Sequence, residues 1–199
     1  MHYIAHLHKD AKLKKIVKEP LSLSRRSPVY LQLCGSIVSQ QLSTKVADII
    51  WKRFLDLFPS TQPKPQEILD CPDESLRGVG LSAAKVRYVK AVAQFALEKG
   101  MEAAQLEQLS NESVIEYLTE IKGVGRWTVE MLLMFTLGRE DVFAVDDLGI
   151  QRAMQKLYGF DKLDKKELKA AMLKQSARWS PYRTYACLHL WRWKDEPLP

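Results

Sequence analysis

Apolar residues recur at three-to-four spacing along almost the whole chain, and that periodicity restricts the fold to packed helices. Leu31, Cys34, Ile37 and Val38 begin one series, and Leu42, Val46, Ile49, Ile50 and Phe54 continue it. The stretch from Phe58 to Pro65 breaks the pattern and reads as a loop. Short helical turns are expected at 67–69 and 74–76, and a long amphipathic helix from Ser82 to Lys99, closed by Gly100. Ser110 is placed to cap a helix over 112–121. A helix over 126–137, ending before Gly138, is apolar on nearly every face, so it is expected to be buried all round. Three more follow: from Asp146/Asp147 to Gly159, over 165–178 and over 182–193. No convincing run of strands occurs, and the expected class is all-α.

One pattern is repeated. Leu76-Arg77-Gly78-Val79-Gly80 and Ile121-Lys122-Gly123-Val124-Gly125 match in type and lie 45 residues apart. Two copies are too few for a solenoid. Each reads as a tight hairpin joining two helices. The N–H groups of Gly123, Val124, Gly125 and the following turn, which includes Arg126 and Thr128, lie where a helix begins and suit an anion. A phosphate is the natural anion for a basic protein, and this chain has 30 Lys and Arg against 24 Asp and Glu, a net charge of +6. An ordinary glycine-closed helical hairpin is the alternative. For the first copy, a structural turn is the favoured reading over a second phosphate contact.

Composition excludes several classes. Hydrophobic residues make up 46%, enough for a core and against disorder. Cys34, Cys71 and Cys187 are odd in number and widely spaced, so no disulfide framework, zinc site or iron–sulfur site is expected. The N-terminus lacks a secretory pattern, and no apolar run is long enough to span a bilayer. His2, His6 and His8 read as part of a polar terminal segment rather than as metal ligands.

Asp146 and Asp147 precede a helix, where an acid is most often an N-cap. That role is compatible with chemistry, because a helix N-terminus favours a carboxylate in its charged form. Such a group suits a base or a partner for a cation. Five tryptophans are present. Aromatics at helical spacing are usually core, yet Trp127 directly follows the second hairpin, where it is expected to face the same cleft as Asp147.

Taken together, Ile121 to Thr128 and the Asp146-Asp147 pair resemble the helix-hairpin-helix-Gly/Pro-Asp (HhH-GPD) DNA glycosylases. The stretches Arg178 to Ala186, Leu188 to Trp191, Gly35 to Ser43 and Gly80 to Lys85 resemble its 3-methyladenine DNA glycosylase II branch. The resemblance covers roughly residues 25 to 193. It implies a two-lobed helical fold with the active site in the cleft between the lobes. The expected division is an N-terminal segment 1–30 joining the terminal lobe, a central lobe 31–137 and C-terminal helices 138–199.

The same resemblance makes Asp147 the catalytic carboxylate. It puts Trp127, Met131, Trp191 and Asp146 around the base pocket, and Gly123, Val124, Gly125, Arg126 and Thr128 on the DNA backbone. Gln41 becomes the wedge filling the hole left by a flipped base, with Leu42 as the fallback. Bifunctional members carry a lysine two residues after the second hairpin glycine; here that residue is Trp127, so no lyase activity is expected. The implied activity is hydrolysis of the N-glycosidic bond of flipped alkylated purines, without cofactor or metal. The implied partner is double-stranded DNA containing alkylated bases, engaged by a monomer and away from membranes. The compartment follows the DNA: the cytoplasm, with the nucleoid, in a prokaryote, or the nucleus in a eukaryote. The competing readings are a non-catalytic helix-hairpin-helix DNA-binding module, a glycosylase for oxidised or mispaired bases, and a purely structural helical protein.

Overall fold

The computed structural model describes residues 2–26 and 28–196. Among the described residues the chain is helical, with two short 3-10 turns and no strand. In order, the helices are α1 (His2–Leu7), α2 (Val29–Ser39), α3 (Thr44–Leu55), α4 (Pro65–Asp70), α5 (Asp73–Gly78) and α6 (Ala83–Glu98). Then come α7 (Ala103–Glu107), α8 (Asn111–Thr119), α9 (Arg126–Phe135), α10 (Leu148–Tyr158), α11 (Lys165–Ser176) and α12 (Arg183–Trp193). None of them is long and apolar enough to cross a membrane.

The ends of these helices are chemically marked. Ser82 Oγ accepts the Lys85 N–H at 3.3 Å, and Ser110 Oγ accepts that of Ser113 at 3.0 Å. Asp164 Oδ1 accepts the N–H groups of Lys166 and Glu167, while Glu167 returns a carboxylate to the Asp164 N–H. These caps satisfy first-turn donors that a helix leaves unmet, each contributing about 1 kcal/mol.

The chain forms two units: residues 1–24 together with 133–199, and Arg25–Leu132. The divisions fall somewhat earlier than the expected 30 and 137. Arg25 already pairs with Glu107 of the second unit at 2.7 Å, and the later division lies inside α9 rather than at its end.

In the first unit the N-terminal segment is more than a polar tail. It forms α1, and Tyr3 stacks on Tyr185 with ring centroids 3.9 Å apart. The buried Asp10 ties this segment to the C-terminal helices. Its Oδ2 accepts from Tyr158, Trp179 and Gln175, and its Oδ1 from the N–H groups of Lys12 and Leu13. Burial pushes the Asp10 carboxyl up. The bonds from Trp179, Tyr158, the Leu13 N–H and Gln175 outweigh that, and the net result lies below the usual range.

In the second unit α6 packs against α2 and α4, around Leu33, Ile37, Phe54, Val89 and Val92, all fully buried. α3 turns Ala47, Ile50 and Phe54 inward and leaves Val46 and Ile49 exposed. The expectation that α9 is buried all round is corrected. Trp127 and Phe135 are 46% and 39% exposed, and Met131 is half-buried. These three residues, four apart, share the uncovered face of the helix.

Candidate active site

In the first unit an apolar loop carries Asp147 from α9 to α10. Val142, Phe143, Ala144 and Val145 are buried, and a buried loop needs partners for its backbone. The start of α12 supplies them. Thr184 Oγ1 accepts the Val142 N–H at 3.0 Å and donates to the Arg139 carbonyl at 2.6 Å, and the Thr184 N–H donates to Glu140 O. Arg183 grips Asp141 through Nε and Nη2 at 2.6 and 2.8 Å, and Ser180 adds a third bond. The Ser180 to Tyr185 stretch is therefore the brace of the loop.

At the end of that loop Asp147 is extended and caps α10. Its Oδ1 accepts two N–H bonds, from the Ile150 backbone at 2.9 Å and from Trp191 Nε1 at 2.8 Å. Charge-assisted bonds of this kind fix the direction of a carboxylate. Trp191 is half-buried and tilted against Phe135, with centroids 5.9 Å apart. Gly149 makes the arrangement possible: a Cβ there would lie 3.1 Å from both Asp147 Oδ1 and Trp191 Cδ1. Asp146 is different. It is exposed, and both its oxygens accept from Lys169 Nζ at 2.8 Å. Of the two adjacent acids, Asp147 is the one built into the helix end beside a tryptophan.

In the second unit Ile121 and Val124 are buried, and the Val124 N–H donates to Ile121 O at 3.0 Å. Gly123 has φ +94°, and a Cβ on it would lie 2.3 Å from the Tyr88 ring. Only glycine fits there. Gly125 sits immediately before α9 and its carbonyl accepts the first helical bond, from Val129. Lacking a side chain, it contributes no side-chain acceptor to the first-turn N–H groups. Arg126, expected on the DNA backbone, is engaged with the Glu112 carboxylate and lies 3.8 Å from Glu130. Thr128, also expected on the DNA backbone, is buried, only 5% exposed.

The expected wedge lies in a tight turn after α2. The Leu42 N–H donates to Ser39 O at 3.2 Å, Gln40 has φ −52° and ψ 131°, and Gln41 has φ +59°. This is a type II turn with a glutamine where glycine or asparagine is usual. Gln41 and Leu42 are both exposed. Sequence reasoning missed Gly149, Phe135 and the Arg183–Asp141 brace. Phe135 had a signal, its spacing of four from Met131; the brace had none, because its partners are far apart in sequence.

Among the described residues no group of three His, Cys, Asp or Glu is placed to hold a metal. His6 and His8 bond instead to the carbonyls of Arg178 and Val17.

Comparison with known proteins accords with this geometry. Residues 34–178 match the family described as HhH-GPD superfamily base excision DNA repair protein. A DNA-3-methyladenine glycosylase 1 from Schizosaccharomyces pombe is 40% identical over 173 residues, covering 86% of this chain and 74% of the relative. A solved DNA-3-methyladenine glycosidase from Bacillus halodurans superposes with TM-score 0.86 at 35% identity, over 96% of this chain and 88% of that one. A Schizosaccharomyces pombe 3-methyladenine DNA glycosylase in complex with abasic DNA gives 0.82 at 36% identity, covering 96% of each chain. The braced aspartate, the glycine hairpin and these likenesses agree, and the chain belongs to the HhH-GPD superfamily of base excision DNA repair proteins.

Proposed function

We propose that this protein is a monofunctional DNA glycosylase that hydrolyses the N-glycosidic bond of flipped alkylated purines in double-stranded DNA. The observation that carries the reading is Asp147, held at the start of α10 by the Ile150 N–H and the Trp191 indole. An N3- or N7-alkylated purine already bears positive charge and leaves without protonation. One carboxylate then suffices, where glycoside hydrolysis commonly uses two. The C1′–N bond breaks with its electron pair passing to the base, which departs neutral. Asp147 stabilises the oxocarbenium-like sugar and orients or deprotonates the water that adds to C1′.

The target must leave the duplex before this can occur. Gln41 takes the wedge role, with Leu42 as the alternative, and Gly123 to Gly125 take a phosphate. Trp191, beside Asp147, offers an electron-rich face to a cationic base, a contact contributing about 1–2 kcal/mol when desolvated; the family resemblance gives Trp127 and Met131, on the uncovered face of α9, the same base-pocket role. Asp146, engaged with Lys169, has a supporting role at most. Trp127 stands where a lyase lysine would be, which supports hydrolysis alone. The protein acts as a monomer wherever the cell keeps its DNA.

The test is base release from methylated duplex DNA by wild type, Asp147→Asn and Asp146→Asn, with binding measured in parallel. Asp147→Asn is expected to lose release by about 10²–10⁴-fold while keeping DNA binding, and Asp146→Asn to remain active. A wild-type protein that binds DNA and frees no base from any lesion would make this a DNA-binding module instead.

A further inference from the structure

In the stretch Gly80-Leu81-Ser82-Ala83-Ala84-Lys85, Gly80 closes the first hairpin copy and Ser82 caps α6, but Lys85 has no assigned part so far. Lys85 sits in the first turn of that helix, where a cation is unfavourable for the helix carrying it. Its placement makes sense elsewhere. Lys85 Nζ donates to the carbonyls of Val38 and Gln40, both at 2.7 Å. Val38 belongs to the last turn of α2, whose carbonyls lack helical partners, and Gln40 follows that helix directly. A cation is favoured at such an end. Burial draws the Lys85 ammonium below its ordinary range, as expected for a group turned away from water.

The clamped carbonyls lie immediately before Gln41, whose φ of +59° an L side chain rarely adopts. Such a conformation persists only where its surroundings over-determine it. A second tie runs from Gln40 Nε2 to the carbonyl of Gly123, at 3.3 Å. One short turn thus connects the exposed glutamine to the hairpin glycine, and a lysine from a third segment fastens it.

We propose that Lys85 is a positioning residue for the wedge: by clamping the Val38 and Gln40 carbonyls it holds Gln41 in its left-handed turn, in register with the Gly123 hairpin. The proposal rests on the reading of Gln41 as the wedge. It assigns a lysine of a basic DNA-binding protein to the protein's own backbone rather than to phosphate.

A double-mutant cycle tests it with the full chain: wild type, Lys85→Met, Gln41→Ala and both together, with Lys85→Arg as the conservative variant. Base flipping is read from the fluorescence of 2-aminopurine beside the lesion in a duplex. The salt dependence of affinity for undamaged duplex is measured alongside, below the melting temperature of every variant. Gln41→Ala and Lys85→Met are each expected to reduce flipping by about tenfold, with the double variant no worse than Gln41→Ala. Lys85→Arg should recover most of the loss, and the salt slope should stay at its wild-type value. If Lys85→Met does not fold, Lys85→Gln, which keeps an N–H donor group, carries the same cycle. Normal flipping by the Lys85 variant, full additivity in the double variant, or a salt slope reduced by about one would each overturn the proposal. Normal flipping by Gln41→Ala overturns the wedge reading itself, and the Lys85 role with it.

Discussion

The two Gly-Val-Gly copies have the same pattern and fold as different turns. In the first, the second glycine takes the left-handed conformation, Gly80 at φ +109°; in the second it is the first glycine, Gly123 at φ +94°. A Cβ on Gly80 would meet the flexible Ile50 side chain at 3.3 Å, whereas one on Gly123 would enter the Tyr88 ring. After Gly80 the chain spends two residues, Leu81 and Ser82, before α6, and Ser82 caps it with a side chain. After Gly125 the chain enters α9 at once. The first copy leads to a helix capped by a side chain, whereas the second leads straight into α9 from a glycine that carries no side-chain acceptor; the proposed phosphate contact belongs to the second.

The sharpest way to break this comparison is Gly123→Ala. Left-handed backbone and ring overlap together are expected to cost about 4 kcal/mol or more, read as loss of the folded population in urea. Normal stability would mean that the hairpin is not held as described.

The next effect lies outside both hairpins and sets the pH at which they should be compared. His189 is 2% exposed, and its Nε2 has no hydrogen-bond partner among the described residues. Burial, then Arg192 and His8, lower its pKa to about 4. The folded state therefore resists the proton that the unfolded chain takes up near pH 6.5. Stability is full above that value and falls as pH drops toward 4, by up to about 3 kcal/mol. His189→Phe should flatten the melting temperature across this window; an unchanged slope would remove His189 as the cause. Asp10 acts at lower pH. Its depressed carboxyl contributes stability that is lost only as pH falls through its folded value.

A third measurement asks whether a glycine matters through its conformation or through its neighbours. Gly149→Ala puts a Cβ against Asp147 and Trp191, and should lower base release roughly tenfold, about 1.4 kcal/mol, with DNA binding intact. Full activity would show that the carboxylate tolerates displacement.

The smallest effects compare the open glycines. Neither Gly78 nor Gly125 has an atom within 4 Å of a built Cβ. Gly78→Ala should change neither folding nor DNA affinity. Gly125→Ala should leave folding alone yet weaken binding to duplex DNA about fivefold, near 1 kcal/mol. Equal affinities would erase the functional difference between the copies.

Much of the fold was legible. Ser110 and Asp147 cap the helices expected of them, the helix expected from Ser82 begins one residue later with Ser82 as its cap, and α10 ends at Gly159 as expected, since capping depends on neighbours in sequence. The N-terminal helix was missed because its apolar face is short and its anchor, Asp10, finds Tyr158 and Trp179 about 150 or more residues away. In the candidate site, the cap geometry of Asp147 could be read from Asp-Leu-Gly-Ile, but its bond to Trp191 could not.

What the sequence alone determined was local: an all-helical chain, where most helices begin and stop, and that a glycine hairpin precedes Trp127. Periodicity and capping act over a few residues, so they leave marks in consecutive letters. Tertiary structure decided which glycine of each pair turns left-handed, that Lys85 serves a carbonyl clamp, and that Asp146 pairs with Lys169 while Asp147 is held by Trp191. Each of those outcomes depends on atoms that folding brings to within a few ångströms from distant parts of the chain, and the hydrogen bonds and steric limits that select them act only at that range.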